Sequence, residues 1–454
     1  MSAPQREKWN SSLGFILAAA GSAIGLGNIW RFPYITGKNG GGSFVLLYLG
    51  IVLLVGLPIM YLELALGRST GKGPVGAIAS VAPKSLWKFL GYLAVITGIG
   101  ILSFYGVVAG WTVYYFFKSF ISGFTPGQSG NVFGSFVTSG SKQIIFMGIF
   151  MGLTTGVVVM GVKGGIEKLS TVLMPVLLVL MLGLIIYAMT LPKAMSGLKF
   201  YLVPTSAGFT KTTFIYALGQ AFFSLSLGMG AMLTYGSYLQ KKENILRAGL
   251  IVVIFDTAIA LMAGFIIFPV LGGAPAAAGP GLVFVVITDL FSVLPGGRII
   301  AMAFFAMLAI AALTSTISLL EVAASYLIDE HKMKRPAAAL TVGAITFCVG
   351  IPSALSLGAS KFLSNIGSFA GRSWGFLDIF DYVFGNLSLA IGGMLLVVFV
   401  LWKWKLQHAE EEIFANSKAG PWVKYVLRPL TIFVAPAAVA LVIGFLLFTG
   451  KTLS

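Results

Sequence analysis

Residues 21–31 read GSAIGLGNIWR. They fall inside the first apolar stretch of the chain, which runs from Leu13 to about Tyr34. Glycine lowers helix stability by about 1 kcal/mol relative to alanine. In lipid, a backbone N–H or C=O left without a partner costs several kcal/mol more. A membrane helix that carries Gly21, Gly25, Gly27, Asn28 and Arg31 together therefore needs something other than lipid around its middle.

The rest of the chain sets that stretch in context. Of 454 residues, 57% are hydrophobic and 10% charged, against about 25% charged in soluble domains. Mean hydropathy is +0.96. Apolar runs recur along the whole length, which indicates an all-α polytopic membrane protein rather than a barrel of short alternating strands. We read eleven spans, near 13–35, 41–67, 87–122, 143–161, 167–190, 213–239, 245–271, 297–328, 337–352, 378–402 and 429–449. The external segment 273–296 reads as either a short helical hairpin or an extended Gly/Pro loop.

The net charge of +16 is spread through short loops such as DEHKMKR (residues 329–335) and KWK (403–405). Membrane topology explains it, so no nucleic-acid partner is expected; the positive-inside rule places the N-terminus in the cytoplasm. Arg6 and Lys8 precede an apolar stretch too long for a cleaved signal. One cysteine, Cys348, and two histidines, His331 and His408, make neither a disulfide nor a metal cluster. GKGPVG at 71–76 matches G-x-G-x-x-G, but no strand precedes it and a proline interrupts it, so it reads as a flexible loop. With no P-loop and no nucleophile–base pair, an enzyme is not expected.

Three features point to a site at mid-membrane. Residues 223–230, FSLSLGMG, break span 6 as GSAIGLG breaks span 1. If spans 1–5 (13–190) and 6–10 (213–402) are related halves, with 429–449 an additional helix, the breaks correspond. Such paired breaks mark a transporter binding site, where freed N–H groups meet an anion and freed carbonyls a cation. Two kinked packing helices would leave the same pattern. Thr314, Ser315 and Ser318 cluster hydroxyls on span 8, a donor set suited to a small hard cation; taken alone, hydroxyls bonding back to their own helix carbonyls would explain them better. Glu63, Asp256 and Glu321 put carboxylates inside apolar spans, where an ionisable group calls for a partner or a cavity.

In combination and order, GSAIGLGNIWRFPY, NGGGSFVLLY, LELALGR, GQAFFSLSLGMGA and LTSTIS resemble the neurotransmitter:sodium symporter family. The resemblance is closest to bacterial members with eleven helices that carry hydrophobic amino acids. It implies the LeuT fold, a 5+5 inverted repeat with discontinuous helices 1 and 6, in the bacterial inner membrane. It implies two sodium ions. The first would meet Ala23, Asn28, Ser224 and Asp256; the second would meet Gly21, Ile24, Ala311, Thr314 and Ser315. A substrate carboxylate would meet Leu26, Gly27 and Tyr105, and its amine the carbonyls near Ala23, Phe223 and Ser226. Ile101, Ser226, Met229, Ser315 and Leu319 would line a side-chain pocket without an ionisable group. Tyr105 and Phe223 would form a lid. Arg31 and Asp381 would gate the outside, and Arg6, Asp329, Trp9 and Tyr238 the inside.

Amine carriers of the family have an Asp where this chain has Gly25, so the resemblance implies an amino-acid substrate. The family often has Asn at Asp256, and Ser or Glu at Ala260. Asp256 beside Tyr48, Gln220 and Ser224 would supply the negative charge that chloride supplies elsewhere, with proton antiport as a further expectation. Gly165 and Pro175, with nine residues between them, match a pair that lets helix 5 unwind; a permanent kink would leave the same pattern. Glu321 reads as lining the inner exit path or bonding between helices. The competing reading is a channel-like or receptor-like protein on the same fold.

Overall fold

The computed structural model describes residues 6–273, 279, 281–369 and 372–453. Nine unbroken helices are long and apolar enough to cross a membrane. They are α2 (Gly42–Thr70), α3 (Lys88–Ile121), α4 (Gly140–Val159), α5 (Val162–Met189), α7 (Ile245–Leu271), α8 (Gly297–His331), α9 (Arg335–Leu355), α10 (Phe376–Trp404) and α11 (Pro421–Thr449). Two more are broken. In α1, Ser12–Ala23 and Gly27–Lys38 are bent by 52°. In α6, Lys211–Ser224 is separated from Ala231–Gly236. The eleven expected spans are thus present among the described residues. The eleventh begins at Pro421 rather than 429, because Trp422 to Pro429 continue the helix with a polar face that hydropathy does not register.

Local chemistry sets the helix ends. Ser11 caps α1 by accepting from the Gly14 N–H at 2.9 Å. Asn244 caps α7 through the Arg247 N–H, and Gly272 ends it at φ +59°, a conformation that glycine adopts without strain. α3 is largely enclosed and packs along α8, whereas α5 lies at the periphery. The first half of α1 packs against α5, α7 and α8, and the second half of α6 against α2.

Two loops differ from expectation. Pro74–Val81 forms a helix whose first turns are buried, and the Gly73 N–H donates to Asp329, so residues 71–76 are anchored rather than flexible. Residues 282–293 form one short helical element (Leu282–Ile287 and Thr288–Val293) packed through Phe284 and Phe291. The GAPAAAGP portion of that expectation lies mostly outside the described residues. A two-stranded hairpin, Gly367–Phe369 with Arg372–Trp374, precedes α10.

Candidate functional site

The two breaks face each other. In α1 the α-helix stops at Ile24 (ψ 111°) and resumes at Gly27. In α6, Ser226, Gly228 and Gly230 take φ of +54°, +79° and +76°, so the break is built from left-handed residues, one of them not glycine. The frayed backbone is held by neighbouring side chains. Ser226 and Ser315 both donate to the Ser22 carbonyl, at 3.1 and 3.2 Å. Gln220 donates to the Gly27 carbonyl at 2.8 Å. Glu63, buried on α2, accepts from the Gly228 and Leu233 N–H groups. Glu63 was legible as an intramembrane carboxylate, but its task as a cap on the α6 break requires the fold.

Between the breaks lies a cavity of about 20 Å³, room for one water. It is lined by Ala23, Gly25 and Gly27 of α1, Ile101 and Tyr105 of α3, Phe223, Ser226 and Met229 of α6, and Ser315 and Leu319 of α8. Ten of the eleven expected substrate residues therefore meet here. Leu26 lines the neighbouring cavity instead, and its N–H donates to Tyr105 Oη at 2.8 Å. A Cβ on Gly25 would stand 2.5 Å from Ser315 Oγ and 2.7 Å from Tyr105 Oη. Any side chain there would displace both hydroxyls.

The first expected sodium set is one bonded cluster. Asn28 Nδ2 donates to Asp256 Oδ1 at 2.7 Å and to Ser224 Oγ at 3.0 Å. Ser224 donates to Asp256 Oδ2 at 2.8 Å, and Tyr48 to Ser224 at 3.2 Å. Asp256 is fully buried and has no ion pair with a Lys or Arg among the described residues. A buried carboxylate without a cationic side chain fits a bound monovalent cation. The second set also converges. Thr314 Oγ1 is 3.0 Å from the Ala311 carbonyl and 3.4 Å from that of Ile24. Ser315 Oγ is 3.1 Å from the Ile24 carbonyl, and Gly21 packs on Thr314. These are neutral oxygens on two helices, a donor set for a hard cation.

Comparison with known proteins identifies the family and the fold. The model of the sodium:neurotransmitter symporter family matches residues 6–143 and 134–453. The chain belongs to this family. It is 37% identical over 447 residues to a sodium-dependent transporter of Bacillus subtilis (strain 168), YhdH, covering 97% of this chain and 98% of the relative. It is 35% identical to a sodium-dependent transporter of Haemophilus influenzae, covering 95% and 97%. Among solved structures, MhsT in complex with L-phenylalanine superposes with a TM-score of 0.87 at 41% identity, covering 96% of this chain and 99% of that one. The symporter thus has the LeuT fold, is a multi-pass membrane transporter of a small molecule, uses sodium and is not an enzyme.

The two ends of the symporter are built differently. At one end Arg6 pairs with Asp329, donates to Ser237 Oγ at 2.6 Å and lies over the Tyr238 ring at 4.6 Å. Trp9 packs edge-on to Tyr238 and donates to the Tyr235 carbonyl. Glu321 accepts from Tyr238 at 2.5 Å and from Arg335 at 2.8 Å, and Arg335 also pairs with Glu7. At the other end, Arg31 and Asp381 line a cavity of about 400 Å³ with Phe104, Tyr105 and Phe223, and the Arg31 guanidinium lies over the Phe223 ring at 4.2 Å. The structure brings Arg6, Asp329, Trp9 and Tyr238 together at one end and Arg31 and Asp381 around one cavity at the other; Glu7, Ser237 and Arg335 join the first group without having been singled out. No motif marks them, because their partners lie more than 150 residues away or on another helix.

Helix 5 is wound. Residues Val162–Glu167 form a wide π-turn after Gly161 at φ +89°, and Pro175 sits inside the α-helix that follows. Gly165 lies hard against the Val157 carbonyl. Glu7 accepts from the Val162 N–H at 2.6 Å, and Glu167 from the Asn10 and Ser11 N–H groups. Each segment caps the other.

Proposed function

We propose that this symporter imports neutral, hydrophobic L-amino acids with two sodium ions by alternating access. The observation that carries the substrate class is the pocket around Gly25. Ile101, Met229, Leu319 and Phe223 offer apolar surface, and among the described residues no acidic or basic side chain lines the cavity. The space that an aspartate would need at Gly25 is filled by Ser315 and Tyr105, so a substrate must bring its own carboxylate. The complex of MhsT with L-phenylalanine, at 41% identity, supports the same reading. Binding requires Phe223, Met229 or Leu319 to move, because a phenyl group exceeds the cavity; flexible Met229 suits varied side chains.

The substrate carboxylate then meets the Leu26 and Gly27 N–H groups and Tyr105, and completes the first sodium shell with Ala23, Asn28, Ser224 and Asp256. Gly21, Ile24, Ala311, Thr314 and Ser315 hold the second ion. Asp256 supplies a fixed negative charge, so transport proceeds without chloride, and Asp256 takes a proton on the return step. Helix 5 unwinds between Gly165 and Pro175 to let water reach the second ion. Residues 13–190 and 213–402 act as the two repeats, the N-terminus is cytoplasmic, and the membrane is a bacterial inner membrane.

The test is competition binding to purified protein in sodium, across neutral, acidic and basic amino acids and decarboxylated amines. Leucine, phenylalanine or a similar neutral amino acid should compete, and phenethylamine should not. Competition by the amine as strong as by its parent amino acid would overturn the substrate class.

A further inference from the structure

The start of α11 has no task in the transport site. From Pro421 to Thr449 the helix has 29 residues, about 43 Å at 1.5 Å per residue. A hydrocarbon core of about 30 Å takes about 20 of them, and a tilt of about 20° absorbs only about 2 Å more. The far end is fixed near Arg31, since Thr452 lines the same cavity and the Leu453 N–H donates to Asn386. The surplus therefore falls on Pro421–Pro429, at the Arg6 end of the molecule.

None of these nine residues is buried. Trp422, Tyr425 and Val426 are 68%, 76% and 50% exposed and share one helical face with Pro429. Aromatic rings of this kind favour the headgroup layer over water. Across the helix from Trp422 and Val426, and nearer Tyr425, Lys424 and Arg428 share one carboxylate, Glu410, at 3.0 and 3.6 Å. One buried acid against two half-exposed bases leaves a net positive charge. It also leaves spare N–H donors, since lysine has three and arginine five.

We propose that Pro421–Pro429 is a docking surface for an anionic phospholipid, with Lys424 and Arg428 holding the headgroup phosphate and Trp422 and Tyr425 seated at its depth. The phosphate competes with Glu410 for the two bases. Glu410 shares the short helix Leu406–Phe414 with Glu412, which accepts from Arg68 at the end of α2 and from Lys241. The lipid contact thereby bears on the loops around the Arg6 end.

The test uses the full chain in nanodiscs. Cys348 is the one cysteine, so a fluorescent label goes on Val426→Cys in a Cys348→Ser background. Brominated phosphatidylglycerol and brominated phosphatidylcholine are compared at equal mole fraction. The phosphatidylglycerol form should quench more strongly, consistent with about fivefold enrichment per basic residue. The preference should vanish in Lys424→Gln/Arg428→Gln, persist in Lys424→Arg/Arg428→Lys, and vanish for the unmodified pair in high salt. The salt arm decides the matter should the neutral variant fail to fold. Equal quenching by both lipids would overturn the headgroup preference, and no quenching by either would place the helix in water.

Discussion

The two ends of the transport path close by different means. On the proposed orientation, the inner end is shut by five charged side chains, Arg6, Glu7, Glu321, Asp329 and Arg335, from the segment before α1, α8 and α9, bonded to one another and to Tyr238 and Ser237. At the outer end Phe223 and Tyr105 form an aromatic layer beneath a cavity of about 400 Å³, which Arg31, Asp378 and Asp381 also line, with the Arg31 guanidinium over the Phe223 ring. A rotating ring is a small movement. A network of charges is all-or-none: removing one member leaves the others desolvated and unpaired, at about 1–3 kcal/mol or more each. The arrangement favours a site that loads from outside and opens inward only when several contacts fail together.

The largest expected effect lies between the ends. Asp256→Asn removes the one charge of the first sodium set, and sodium affinity should fall about 100-fold, within the range for truncating a buried charge pair. An unchanged sodium titration would remove Asp256 from the ion's shell. Glu321→Ala strips an acceptor from both Tyr238 and Arg335 and should shift the inner end toward opening by about 30-fold. Faster hydrogen exchange over residues 6–16 reads this shift; exchange at the original rate would show that the network does not hold the end shut. Phe223→Ala removes only the outer ring and its contact with Arg31, an effect of about fivefold on apparent substrate affinity. Exchange at residues 6–16 should stay as before, and a change there would break the distinction between the ends. The subtlest expected effect is in helix 5. Exchange across 162–172 should slow when sodium replaces choline, and equal exchange in both would argue against unwinding.

How much of this was legible in the sequence follows from what each feature depends on. The eleven spans and the two breaks were readable because apolar runs and glycine placement act locally. The pocket was readable by resemblance, since Gly25 and Ser315 sit inside recognisable motifs and Tyr105 follows from the position the resemblance gives it; their close approach at Gly25 is a fact of packing. Glu63's cap on α6, the exchange of caps between Glu7 and Glu167, and Arg335's bond to Glu321 join residues with no pattern between them. The anchored turn at Gly73 was missed for the same reason: its partner, Asp329, is 256 residues away. The early start of α11 was missed because an amphipathic helix at the interface lowers mean hydropathy.

The central claim is that a sodium gradient drives neutral amino-acid uptake. The direct measurement is accumulation of radiolabelled L-phenylalanine, or of the best competitor in the binding panel, by proteoliposomes in gluconate medium. With an inward sodium gradient, saturable accumulation above the external concentration is expected, and it should disappear with choline or with sodium equal on both sides. Uptake that is equal in choline, or that never exceeds equilibration, would contradict the account; loss of uptake on removing chloride alone would contradict the role given to Asp256.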